Sequence, residues 1–231
     1  PSLAETTGCA EAPSWARTAQ GGELTSRRRA DALGFALTAA LVATNGTIDW
    51  FCCPRFDSPS VFGTLLDRES GHFRLGPFGI EFPSARRYEP GTNVLATTWK
   101  TPTGWIVVRD ALTMGPWDHE DEVTPHTRPP ADDDADHMLV RSVECLEGTV
   151  EVEFVCEPVF DYGRVAAEWT MVDGGRHAAD ASGPGLTIRL QSSMAMGIEG
   201  DRVRARHALH AGERLFCSLS WAEGLESPAD V

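Results

Sequence analysis

The stretch Val150–Cys156 constrains the fold most: Val150, Val152, Phe154 and Cys156 fall on one face of an extended chain, Glu151 and Glu153 on the other. A period of two belongs to a β-strand, and charge confined to one side means a sheet with one dry face and one wet face. Such a strand needs partners on both edges and a second layer over its apolar face.

The rest of the chain supplies them. Leu186, Ile188 and Leu190 alternate against Thr187, Arg189 and Gln191; Val203 and Ala205 alternate against Arg202, Arg204 and Arg206; Leu215, Cys217, Leu219 and Trp221 repeat the pattern. Asn45-Gly46 between Ala39–Ala43 and Thr47–Phe51 predicts a hairpin with a type I′ turn. Pro102-Thr103-Gly104 predicts a second hairpin, and Glu147-Gly148 a break between Met138–Leu146 and the strand at Val150. Further turns are expected at Asp173-Gly174-Gly175, Gly183-Pro184-Gly185, Glu199-Gly200-Asp201 and Ala211-Gly212-Glu213. Only Phe62–Leu66 reads as a helical turn. The predicted fold is all-β: a large antiparallel β-sandwich of two packed sheets with little helix.

The sequence divides at composition shifts. Residues 1–29 are polar, with Arg27-Arg28-Arg29 as a solvated basic cluster, and read as a poorly ordered leader or packing arm. Residues 30–223 form the sandwich, interrupted by an acidic, proline-rich insertion over 115–136. A net charge of −14 argues against nucleic acid and anionic membranes as partners, and there is no apolar run of about 20 residues to span a bilayer. The six cysteines are Cys9, Cys52, Cys53, Cys145, Cys156 and Cys217; four lie in apolar strand patterns and none has metal spacing, so buried reduced thiols and a cytoplasmic location are expected. No cofactor and no metal is expected. Asp132–Asp136 with His137 lacks the glycine and terminal glutamate of a calcium loop, and His207 and His210 lie on opposite faces of a strand.

The segment Thr47–Asp67 carries the functional signal. An apolar strand runs into a loop stiffened by Pro54 and Pro59, which cannot continue a ladder; between them stand Arg55, Phe56 and Asp57, with Trp50 just upstream. The run Asn45–Phe62, together with Arg86-Arg87-Tyr88-Glu89-Pro90-Gly91-Thr92-Asn93-Val94-Leu95 and Pro158-Val159-Phe160-Asp161-Tyr162-Gly163-Arg164, resembles the N-terminal domain of bacterial glycoside hydrolase family 15 proteins, the trehalase and glucoamylase group. The resemblance spans roughly Ala30 to Glu223. It implies a β-sandwich that precedes an (α/α)6 catalytic barrel, with residues 224–231 as the start of a linker to it.

Glycoside hydrolysis needs two carboxyl groups across the scissile bond. In the family both catalytic glutamates belong to the barrel, so no catalytic residue is assigned here and the chain alone is expected to be inactive. The candidates for lining a substrate pocket are Arg55, Asp57, Trp50 and Phe56, a planar cation and a carboxylate beside aromatic faces. The competing reading is an Arg55–Asp57 ion pair that only pins the loop; Asp161 and Arg164 pose the same choice. The function implied is a non-catalytic scaffold domain of a hydrolase acting on α-glucosides, α,α-trehalose or α-glucan ends. Its partner is the C-terminal helical domain of the same protein, and it meets the α-glucoside only indirectly. The alternative is a stand-alone carbohydrate-binding or structural module.

Overall fold

The computed structural model describes residues 30–34, 38–113 and 138–223. The leader, the acidic insertion, the linker and Cys9 lie outside these residues. In chain order the strands are β1 (Ala30–Gly34), β2 (Ala39–Ala43), β3 (Thr47–Cys52), β4 (Ser60–Phe62), β5 (His72–Pro77), β6 (Ala85–Tyr88), β7 (Leu95–Thr101), β8 (Gly104–Leu112), β9 (Met138–Glu157), β10 (Val165–Ala166), β11 (Glu168–Met171), β12 (Ala178–Gly183), β13 (Leu186–Ser192), β14 (Gly197–Glu199), β15 (Arg202–His210) and β16 (Arg214–Glu223). The named strands pair antiparallel throughout. Helix among the described residues is confined to single turns, as the alternating pattern predicts.

The strands form two layers joined by β9. One layer runs β1-β2-β3-β5-β9-β15-β14, with β4 on the far end of β3; the other runs β6-β7-β8-β9-β16-β13-β12-β11. The first half of β9 pairs with β8 and β16, its second half with β5 and β15. The predicted break at Glu147-Gly148 is therefore a bend within one strand, not a turn between two. Ile106 faces Cys145 and Trp105 faces Glu147, which leaves Leu146 as an extra residue, a bulge that re-aims the strand. Gly148, at φ +73°, makes the bend: a Cβ there would stand 2.1 Å from the Thr103 carbonyl oxygen.

The Asn45-Gly46 hairpin forms, but not with a type I′ turn. Only Gly46 takes positive φ, and the turn closes by Gly46 N–H donating to Ala43 O at 3.0 Å. Asn45 contributes its side chain instead: Oδ1 accepts from Thr47 N–H at 3.2 Å. A bulge between Leu41 and Val42 absorbs the residue that a tight two-residue turn would have excluded. Phe62 belongs to β4; the expected helical turn is displaced to Gly63–Asp67, closed by the Leu66 and Asp67 amides on Gly63 O.

The alternating faces close into one core. Phe51, Phe62, Phe73 and Phe154 form a chain of rings 6.1–6.2 Å apart, and Phe51 meets Trp221 of the other layer edge-on at 5.4 Å. Cys52, Cys53, Cys145, Cys156 and Cys217 are buried and free; burial pushes their thiols up, that of Cys217 to about 12. Glu151 is exposed, as expected on a wet face. Glu153 is not: it is buried beneath Arg204 and Arg206, which reach its Oε1 at 2.6 and 3.2 Å, with Arg74 at 3.9 Å.

The largest polar group in the core is Arg141 on β9, fully buried. Its Nε donates to Asp110 Oδ1 at 2.8 Å and its Nη2 to Asp110 Oδ2 at 3.4 Å; Asp110 is its cross-strand neighbour on β8. Across the interior Nη1 donates to Phe73 O and Nη2 to Gly46 O, both at 2.6 Å, and the guanidinium lies 4.8 Å from the Phe73 ring. One side chain thus ties β8 and β9 in one layer to β5 and the β2–β3 turn in the other.

Replacing Arg141 with Met strands the Asp110 carboxylate in a dry interior and removes the guanidinium donors from two carbonyls. The expected loss is about 3–5 kcal/mol, read as a Tm drop on the order of 10 °C in thermal unfolding. Arg141→Met combined with Asp110→Leu is expected to recover part of that loss, since the orphaned charge is gone while the two carbonyls still lack the guanidinium, Gly46 O keeping only a 3.5 Å bond from Leu75 N–H. A second prediction concerns His72 on β5. Burial first, then Arg202 and Arg74, hold its pKa below the ordinary 6.5. The unfolded chain takes up a proton near that pH that the folded chain refuses, so stability is full above about 6.5 and falls as pH drops through it. His72→Gln is expected to flatten that part of the Tm–pH profile.

Candidate functional site

β3 carries Phe51 into the core and ends at Cys52; the chain then leaves the sheet through a cis Cys53–Pro54 bond. Residues 55–58 form a tight turn in which Ser58 N–H donates to Arg55 O at 3.0 Å and Arg55 N–H to Ser58 Oγ at 3.3 Å. Arg55 Nε reaches Asp57 Oδ1 at 3.1 Å, with the two side chains 61% and 62% exposed. Phe56 between them is 65% exposed. β4 returns beside β3. The loop is anchored by its backbone, because an ion pair this exposed is worth about 0–1 kcal/mol. Trp50 sits apart, half-buried on β3 opposite Leu41. The structure therefore groups Arg55, Phe56 and Asp57 at one exposed tip and leaves Trp50 on the sheet.

Beside this loop lies the segment Phe160–Arg164. Phe160 is buried, but Asp161 (φ 51°, ψ 55°) and Tyr162 (φ 56°, ψ 41°) are left-handed, followed by Gly163 at φ +85°. Arg164 N–H closes the turn on Phe160 O at 3.0 Å. A Cβ at Gly163 would meet Ser70 Oγ at 2.2 Å, so the turn is held tight against the 63–71 loop. Among the described residues no other non-glycine residue has positive φ. Such conformations cost on the order of 1–3 kcal/mol each and persist only where surrounding structure imposes them. Arg164 Nη1 reaches the Asp161 oxygens at 3.4 and 3.5 Å, a loose and exposed pair.

The two segments enclose a cleft of about 280 Å³, lined by Cys53, Pro54, Ser58 and Pro59, by Phe160 and Asp161, and by Pro184–Leu186 from the β12–β13 hairpin. Its floor is proline and aromatic; its one carboxylate is Asp161. None of the four candidates from the sequence lines it, although Arg55, Phe56 and Asp57 stand on the loop that forms its wall. Phe160 and Asp161 were signalled by their run; Pro184–Leu186 carried only a turn signal. A wider concavity of about 610 Å³ is lined by Tyr88–Val94 with Ala111 and Leu112. There Glu89 is engaged by Arg109 at 3.4 Å and Arg87 at 3.9 Å, and the Glu89 carbonyl accepts from Thr92 N–H and Oγ1, so those groups serve to close the turn. Among the described residues no group of three His, Cys, Asp or Glu side chains is placed to hold a metal ion, and no helix is long and apolar enough to cross a membrane.

Residues 14–207 match the family model described as trehalase-like, N-terminal. The chain belongs to the trehalase-like N-terminal domain family. It is 49% identical over 192 residues to a protein named trehalase from Mycolicibacterium smegmatis, covering 80% of this chain and 29% of that relative. It is 46% identical over 198 residues to a trehalase from Mycobacterium tuberculosis, covering 80% and 28%. A shorter match, 45% over 83 residues, is to Trehalase 1 of Sulfolobus acidocaldarius, covering 36% of this chain and 14% of that protein. The chain thus spans less than a third of the length of the two mycobacterial relatives. Of the three segments that carry the resemblance, 45–62 and 158–164 meet at the cleft, while 86–95 lines the wider concavity.

The strain of the left-handed turn is directly measurable. Tyr162→Gly removes a side chain from a conformation that costs an L-residue about 1–2 kcal/mol, while glycine's extra chain entropy offsets part of the gain. The expected result is a Tm higher by roughly 2–4 °C; a lower Tm would mean that the tyrosine ring contributes more to packing than its backbone costs.

Proposed function

We propose that this chain is the non-catalytic N-terminal scaffold of a glycoside hydrolase acting on α-glucosides, α,α-trehalose or α-glucan ends, and that it flanks and helps to shape the substrate pocket of a C-terminal helical catalytic domain. The observation that carries this reading is the convergence of the 53–59 loop and the 160–164 turn on one rim. Arg55, Phe56 and Tyr162 are held out from stiff backbone there, while the core is closed independently by Arg141. Exposed cations and aromatics on a rigid loop serve contact with something outside the sandwich. Hydrolysis needs a pair of carboxyl groups, and the cleft lining holds Asp161 alone, which supports a role in shaping rather than in bond cleavage. The mycobacterial relatives named trehalase, each more than three times as long as the matched region, support the substrate class and the partner domain. A reducing, cytoplasmic setting suits five buried free thiols.

The purified chain is expected to release no glucose from trehalose, maltose or soluble starch, and the complete product of its gene to hydrolyse an α-glucoside. In that product Arg55→Ala is expected to lower kcat/KM by roughly 10- to 150-fold, the loss of a hydrogen bond from a charged group. Its Tm should barely move, because the Arg55–Asp57 pair is exposed. Turnover by the isolated chain that disappears on substituting one of its own acids would overturn the scaffold reading; an unchanged kcat/KM would place the rim outside the pocket.

A further inference from the structure

We infer that the cleft between the 53–59 loop and the left-handed turn is a subsite for a single glucosyl unit, with the Asp161 carboxylate as its hydrogen-bonding anchor; the sugar class rests on the function proposed above. A pyranose ring presents an apolar C–H face and a rim of hydroxyls, and a site for it needs a flat apolar wall with a few convergent polar groups. Pro54, Pro59 and Pro184 supply the wall, above the edge of the buried Phe160. The volume of about 280 Å³ lies at the small end of ligand pockets, which suits one ring rather than an oligosaccharide.

The polar groups have capacity left. Arg164 holds the Asp161 oxygens only at 3.4 and 3.5 Å, so most of the carboxylate's acceptor sites remain open. Ser58 Oγ accepts from Arg55 N–H, which leaves its own hydroxyl hydrogen to donate. The walls are pre-organised, since three prolines fix their backbone and little freedom is lost on binding. The backbone strain supplies an independent observation: the two left-handed non-glycine residues of the described chain, Asp161 and Tyr162, occur in this turn, and one of them is the cleft's carboxylate. The strain falls on Tyr162, since aspartate tolerates the left-handed region, and strain retained beside a cleft points to a use for the turn that bears it.

The test is titration of the 231-residue chain with trehalose and maltose, followed by calorimetry and saturation-transfer NMR, with cellobiose as the β-linked comparison. Saturable millimolar binding of the α-glucosides is expected. Asp161→Asn keeps a residue type that tolerates the left-handed region and is expected to weaken binding about tenfold or more with Tm unchanged. Asn93→Ala in the wider concavity is expected to leave binding as it is. No saturable binding, or equal binding by Asp161→Asn, overturns the subsite. If a chain that binds no sugar belongs to a gene product that hydrolyses trehalose, the subsite falls and the scaffold reading stands. If binding lost on Asp161→Asn occurs in a chain whose complete gene product hydrolyses no α-glucoside, the subsite stands and the scaffold reading falls.

Discussion

The guanidinium of Arg141 is the constraint on which the rest of the sandwich depends. It is fully buried and makes four hydrogen bonds: two to Asp110 within its own layer and two to the carbonyls of Gly46 and Phe73 in the other. A buried charge is tolerated only when paired and hydrogen-bonded. Both layers must therefore be in register for the residue to be accommodated at all. Hydrophobic burial supplies most of the driving force but has no direction; this cluster adds direction, because Gly46 O and Phe73 O meet the guanidinium in one alignment of β3 and β5 over β9.

The bend in β9 makes that alignment possible. By passing from one layer to the other at the Leu146–Gly148 bulge, the strand places Arg141 in one sheet and Phe154 in the other. The outer faces are then stitched by cross-strand ion pairs. Glu153 gathers Arg204, Arg206 and Arg74, and Glu144 joins Arg109 at 2.9 Å to Arg214 at 2.8 Å. Directly opposed pairs of opposite charge, Arg206 with Glu153 and Arg214 with Glu144, add to the stability of the observed register.

The rim differs from this body in its backbone. Three segments far apart in the chain, 53–59, 160–164 and 184–186, meet there, and the described chain holds its left-handed non-glycine residues there. The anchors are conventional: Phe160 is buried, Ser70 braces Gly163, and β3 and β4 fix both ends of the loop. Stability in the body allows a strained, exposed edge whose side chains are aimed outward.

The all-β class, the hairpins at Asn45-Gly46 and Pro102–Gly104, the dry faces of β9, β13, β15 and β16 and the family itself were determined by the sequence alone. Each rests on local chemistry: a period of two, turn residues, or a long contiguous signature. What only the tertiary structure decided depends on partners distant in sequence. The bulge at Glu147-Gly148 reads locally as a turn and continues as a strand because β8 and β16 flank one side of the bend, β5 and β15 the other. Glu153 reads as solvated and is buried because three arginines from two strands converge on it. Arg141 sits in an alternating pattern that says nothing of its carbonyl partners, 68 and 95 residues away. The cleft follows the same rule. Arg55, Phe56 and Asp57 were legible as a displayed cluster, but Asp161 became the cleft's carboxylate only when the β12–β13 hairpin closed its third wall, and no local pattern encodes which loops a folded sandwich brings together at its edge.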